Sequence, residues 1–104
     1  MFSSSAELQY NGGVDKKRYR ELEKILKGVA SHRRVQIVDL LERKAELSVL
    51  EIADELSIDF RTAGEHLRKL VISGLVMKRH DGAAVRHALT SRGKYVLKFC
   101  RTLE

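Results

Sequence analysis

Apolar residues at Tyr19, Leu22, Ile25, Leu26 and Val29 recur at the three- and four-residue steps of one helical face. With Asp15 placed to cap the start and Gly28 to stop the run, this spacing predicts a helix over about 15–27. Ser31 caps a second helix. Its apolar set, Val35, Ile37, Val38, Leu40 and Leu41, spreads over more than one face, as in a central core helix. A polar connection runs from Glu42 to Leu47. Ser48-Val49-Leu50-Glu51 then reads as a capping box, in which the serine oxygen accepts from the amide three residues on and the glutamate reaches back. A short third helix, about 49–56, is expected to bury Leu50, Ile52, Ala53 and Leu56. Ser57-Ile58 turns the chain, and Asp59 caps a fourth helix, about 60–73, with Ala63, Leu67, Leu70 and Val71 as its buried stripe. Gly74 supplies the left-handed residue that closes many helices.

The pattern then changes. Leu75 to His80, a turn at Asp81-Gly82, and Ala83 to Leu89 read as a two-stranded hairpin. Thr90 caps a last helix, about 91–103, whose apolar face is Val96, Phe99, Cys100 and Leu103. Residues 1–14, with a serine run and Asn11-Gly12-Gly13, read as a flexible N-terminal tail. The expectation is one domain over 15–104, mostly α with a small β-hairpin, in the order helix, helix, helix-turn-helix, hairpin, helix. That is the order of a winged helix-turn-helix.

Composition narrows the function. A chain of 104 residues has a modest core, so helices at its two ends need a partner subunit to cover them. No apolar stretch approaches the ~20 residues of a membrane span. The first residues lack the basic start and apolar run of a secretory signal, and the single cysteine, Cys100, excludes an intrachain disulfide. A cytoplasmic protein is expected. The net charge of +6 is unevenly spread: +5 over residues 15–38, −5 over 39–65 and +7 over 66–104. Positive charge gathered in segments points to a polyanion, most simply nucleic acid. A helix-turn-helix agrees, because its second helix enters the major groove and the hairpin behind it can lie along the backbone as a wing.

The stretch from Glu46 to Val76, ELSVLEIADELSIDFRTAGEHLRKLVISGLV, resembles the core motif of ArsR-like winged-helix regulators. Val29 to Leu41 is similar to that family's second helix, and His87-Ala-Leu-Thr90-Ser-Arg-Gly93 to the strand-to-helix junction shared by ArsR-, MarR- and PadR-like proteins. The resemblance covers about residues 22–103. It implies a recognition helix over Phe60–Ser73, with Phe60, Arg61, Gly64, Glu65 and Arg68 facing away from the buried stripe. Arg61 and Arg68 suit phosphate or guanine O6/N7, and Thr62 can donate to a phosphate near the helix N-terminus. Phe60 either touches a thymine methyl or packs into the turn. Glu65 either accepts from cytosine N4 or pairs with Lys69 one turn on. Gly64 costs about 1 kcal/mol of helix propensity and lets the backbone approach another surface. Lys78, Arg79 and Arg86 on the hairpin are the phosphate contacts expected of a wing.

Many ArsR-like proteins sense metals through cysteines in the third helix or His/Asp clusters in the last. Here the third helix begins Ser48-Val49-Leu50, and the last offers Cys100 and no histidine. An Asp81-Gly82 turn would set His80 and His87 about 13 Å apart along the hairpin, too far to share zinc. No metal and no cofactor is expected. His66 reads as a packed, hydrogen-bonded structural histidine. No nucleophile–base pair, phosphate loop or paired-carboxylate motif offers a catalytic site, so an enzyme is not expected. The sequence therefore points to a homodimeric transcriptional regulator, a repressor by family resemblance, bound to double-stranded DNA. Its terminal helices would meet a symmetry mate through Tyr19, Leu22, Ile25, Leu26, Val96, Phe99, Cys100 and Leu103. Two other readings are a winged-helix protein-interaction module with no DNA role and a redox sensor using an intersubunit Cys100 disulfide.

Overall fold

Local side-chain chemistry sets where four of the helices begin in the computed structural model, which describes residues 12–104 and side chains from Asp15 onward. The elements are α1 (Gly12–Val29), α2 (His32–Arg43), α3 (Val49–Leu56), α4 (Phe60–Ile72), β1 (Val76–Asp81), β2 (Ala84–Leu89) and α5 (Ser91–Thr102). Ser31 accepts from the Arg34 amide ahead of α2, and Thr90 from the Gly93 amide at 3.0 Å ahead of α5. At α3 both halves of the capping box form: Ser48 Oγ accepts from the Glu51 amide at 3.2 Å, and Glu51 accepts from the Ser48 amide at 2.8 Å. Asp59 caps α4, accepting from the Thr62 amide at 2.9 Å.

α2 is the hub. It packs against α1, α3, α4, α5 and β2, and buries Ile37, Val38, Leu40 and Leu41. Around it close Ile52 of α3, Leu67 and Leu70 of α4, Leu75, Val76, Leu89 and Leu97. Each such side chain, fully removed from water, contributes roughly 1.5–3 kcal/mol.

The first helix departs from the expected bounds. It already runs through residues 12–14, so Asp15 lies inside α1 rather than capping it, and the rest of the expected tail, residues 1–11, lies outside the described residues. Gly28 does not stop the helix either. It is buried where α1 crosses Ser73 at the end of α4, and a Cβ there would sit 2.3 Å from Ser73 Oγ. The glycine serves close helix approach. Gly74, by contrast, is left-handed at φ +81, as its place after α4 requires.

Two burial expectations also change. Leu50 is 58% exposed, because the eight-residue α3 turns only Ile52 and Ala53 fully inward. Leu97, outside the expected apolar face of α5, is the residue that this helix sends into the core.

The hairpin loop shifts by one residue, and the cross-strand pairing with it by two. Asp81 pairs with Ala84 and Val76 with Leu89, so the two loop residues are Gly82-Ala83 rather than Asp81-Gly82. Gly82 has φ +62, and a two-residue hairpin loop needs that positive φ at its first position. His87 consequently faces Lys78, not Val76. The connection before α3 adds an isolated bridge, Leu47 to His87: the His87 amide donates to the Leu47 carbonyl and the Glu46 amide to the His87 carbonyl, each at 2.9 Å.

Candidate nucleic-acid interface

α3 and α4 are joined by a tight turn in which Ser57 is left-handed at φ +54, and this turn presents the N-terminal end of α4 outward. Ala63, Leu67 and Leu70 hold α4 to the core by one face. The opposite face carries exposed Phe60, Arg61, Thr62, Glu65, Arg68 and Lys69. Phe60 is 57% exposed, so of its two readings packing into the turn is not the one adopted. Glu65 and Lys69 form no ion pair with one another among the described residues. The Thr62 hydroxyl donates to Asp59 at 3.1 Å, which commits its proton within the cap. At Gly64 an added Cβ would meet only Val49 Cγ1, at 3.9 Å, so packing inside the chain does not require glycine there.

The wing is electrostatically divided. Lys78 is exposed and in no ion pair among the described residues. Arg79 and Arg86 stand directly opposite each other, and each is compensated by acid. Arg79 pairs with Glu46, which raises its pKa through that hydrogen bond first. Arg86 lies 3.4 Å from Asp81 and 3.6 Å from Glu51, and donates to the Glu46 carbonyl at 3.1 Å. Ion pairing takes up five of the eight acidic residues of 39–65, leaving Asp54, Asp59 and Glu65 without a cationic partner among the described residues. Glu55 takes Lys44 at 2.8 Å, while Asp39 and Glu42 take Arg101 at 3.0 and 2.7 Å. The Ser48 hydrogen bonds lower the Glu51 pKa, with Arg86 adding to them. On the outward face of α4 and on the wing, Arg61, Arg68, Lys69 and Lys78 are in no ion pair among the described residues.

Two histidines behave differently from one another. His66 is half-buried, and its ring makes no hydrogen bond among the described residues, in contrast to the bonded ring expected. Burial first, then Arg34 and Lys69, lower its pKa. His87 is the buried and bonded one, with Nδ1 2.9 Å from the Leu47 carbonyl, and burial is the first cause of its lowered pKa. The observed register puts His80 and His87 only about 7 Å apart along the hairpin. What separates them is environment, since His80 is exposed. Among the described residues no three His, Cys, Asp or Glu side chains group as metal ligands.

Away from α4, α1 and α5 flank an apolar cleft of about 800 Å³. Leu22, Ile25, Leu26, Val96, Phe99 and Cys100 line it, joined by Tyr95, which the apolar spacing did not single out. Tyr95 is 73% and Leu103 70% exposed. Tyr19, also exposed, lines an adjoining apolar hollow with Leu22 and Leu26.

The family model described as bacterial regulatory protein, arsR family, matches residues 31–78, from the cap of α2 into β1. HlyU from Vibrio cholerae is 30% identical, with 84% of this chain and 95% of that one aligned and a TM-score of 0.72. The chain belongs to the ArsR family. Two further structures share the fold. One is the homodimeric winged helix-turn-helix DNA-binding domain of a possible ArsR-family transcriptional regulator from Mycobacterium bovis. It is 24% identical over 86% of this chain and 82% of that one, with a TM-score of 0.78. The other is the transcriptional repressor PagR of Bacillus anthracis, 20% identical over 82% and 98%, with a TM-score of 0.73. No curated protein matches the chain. In this ArsR-family chain the matched stretch holds α2, α3 and α4, whereas the helices flanking the apolar cleft fall outside it. No helix among the described residues is long and apolar enough to cross a membrane.

Proposed function

We propose that this ArsR-family chain is a cytoplasmic, sequence-specific DNA-binding regulator that acts as a homodimer and represses transcription. In this reading α4 enters the major groove and β1–β2 serve as the wing. One observation carries it: the outward face of α4 presents Arg61, Arg68 and Lys69 exposed and free of ion pairs among the described residues, with Phe60 at its leading end. Arg61 and Arg68 have the reach and planarity for guanine O6/N7, Phe60 for a thymine methyl, and Glu65 for cytosine N4. Lys78 takes a phosphate directly, whereas Arg79 and Arg86 must exchange a carboxylate for one.

The apolar cleft supports the dimer. A monomer rarely leaves so continuous an apolar surface in water, and a two-fold axis through it makes each contact twice. Two recognition helices would then address half-sites about 34–36 Å apart. Repression follows the direction named for PagR. Neither catalysis nor a metal has a part in the reading. Selection from a random duplex pool tests it, with binding remeasured at two salt concentrations. An inverted repeat, bound with a steep negative salt slope, is expected. No enriched sequence together with indifference to salt would overturn the proposal.

A further inference from the structure

A second cleft, of about 430 Å³, lies where the C-terminal end of α1, the first turn of α2 and the last turns of α4 meet. All of its charged lining is cationic: Lys24, Lys27, Arg34 and Lys69. Among the described residues only Lys27 has an acidic partner, Glu23 at 3.2 Å. Arg34 Nε is buried and has no hydrogen-bond partner among those residues. A buried charged donor left unmade is costly, and a missing ion or water is a common reason for one.

The helix end beside it has the same bias. The first turn of α2 holds His32, Arg33 and Arg34 and no acidic residue, although the helix dipole is already positive there. Of its leading amides, that of Arg34 is capped by Ser31, and those of His32 and Arg33 have no partner within the helix. The field reaches α4 as well, since Arg34, Lys69 and Arg33 all oppose protonation of His66. Crowded cations without acids conflict with local stability, and such conflicts concentrate at functional sites.

We infer that this cleft binds a phosphate group, with Lys24, Arg34 and Lys69 on its oxygens and the α2 amides behind them. Lys69 lies eight residues past Arg61, about 12 Å along α4, so the cleft stands apart from the base-reading end. Its occupant bridges a helix of the apolar cleft and the recognition helix. The phosphate comes either from a free small molecule or from duplex backbone passing that side of α4. Only the duplex case rests on the DNA-binding reading.

The test is a titration with inorganic phosphate at constant ionic strength, balanced with chloride and followed by backbone amide shifts and thermal melting. Saturable shifts confined to residues 28–34 and 69–73 are expected, along with a rising melting temperature. At ten times Kd the folded-to-unfolded ratio should rise about elevenfold. Lys24→Ala with Lys69→Ala, both at exposed side chains, should weaken that response at least about tenfold while the amide spectrum stays folded. If the phosphate is the duplex's own, free phosphate binds weakly and Lys24→Ala lowers the salt slope of DNA binding by about one. Phosphate acting no differently from chloride, with the salt slope unchanged in Lys24→Ala, would overturn the site. The titration needs no DNA, so its failure and failure of the DNA-binding reading are separate results.

Discussion

Gly64 sits fifth in the thirteen-residue α4, in a helix interior where glycine is about 0.8–1.0 kcal/mol worse than alanine. An alanine Cβ there meets only Val49 Cγ1 at 3.9 Å, which is ordinary contact. One such contact adds only about 0.1–0.2 kcal/mol. Gly64→Ala should therefore stabilise the fold by about 1 kcal/mol, raising the thermal midpoint by roughly 4–8 °C for a domain of this size. On DNA the sign reverses if the α4 backbone lies close to the duplex, because the new methyl occupies the space that glycine leaves open. Urea denaturation with an unchanged m-value reads the first effect, and titration of a selected duplex reads the second. A loss of stability would refute the packing argument, and an unchanged DNA affinity would refute the close approach.

Leu67→Ala should cost about 2–5 kcal/mol in urea denaturation, because this leucine is fully buried and its loss leaves a cavity; a fully stable variant would mean that the buried face of α4 is rotated. Phe99→Asp places a carboxylate in the apolar cleft twice per dimer and should yield a monomer with sharply reduced DNA affinity. Sedimentation checks it, and a wild type that stays monomeric at about tens of micromolar would count against the interface. His87 and His66 are both held below the ordinary imidazole value of 6.5, so the unfolded chain binds protons that the folded chain refuses. Stability is therefore full above that value and declines as pH falls through 6.5 towards the lower folded values. The urea midpoint should be lower at about pH 5.5 than at about pH 7.5, and a flat or rising midpoint would contradict the burial of His87.

What could be read from the sequence was what is local. Ser31, Ser48 with Glu51, Asp59 and Thr90 cap their helices as their side chains predict, because a cap needs only the next three amides. The buried stripe of α4, and with it the outward face, follows from helical spacing alone. The missing parts depend on distant residues. Nothing near Leu47 marks it as the partner of His87, forty residues on. The pairing of Arg79 with Glu46 spans 33 positions and that of Arg101 with Glu42 spans 59, so the wing arginines looked freer than they are. Gly28 carries the sequence signature of a helix stop, and only the crossing with Ser73 reveals its purpose. The hairpin register turned on one residue. Asp-Gly is a strong turn signal, but here Asp81 closes the ladder and accepts from Arg86, leaving Gly82 to open the loop.

The central claim is that the outward face of α4 reads DNA. The most direct measurement compares the wild type with Arg61→Ala and Arg68→Ala on a duplex obtained by selection. Loss of about 1–3 kcal/mol in each variant, roughly 5- to 150-fold in affinity, is expected. Both side chains are exposed, so the urea midpoint should move by less than the equivalent of about 0.5 kcal/mol. Two variants that bind the selected duplex as tightly as the wild type would contradict the account.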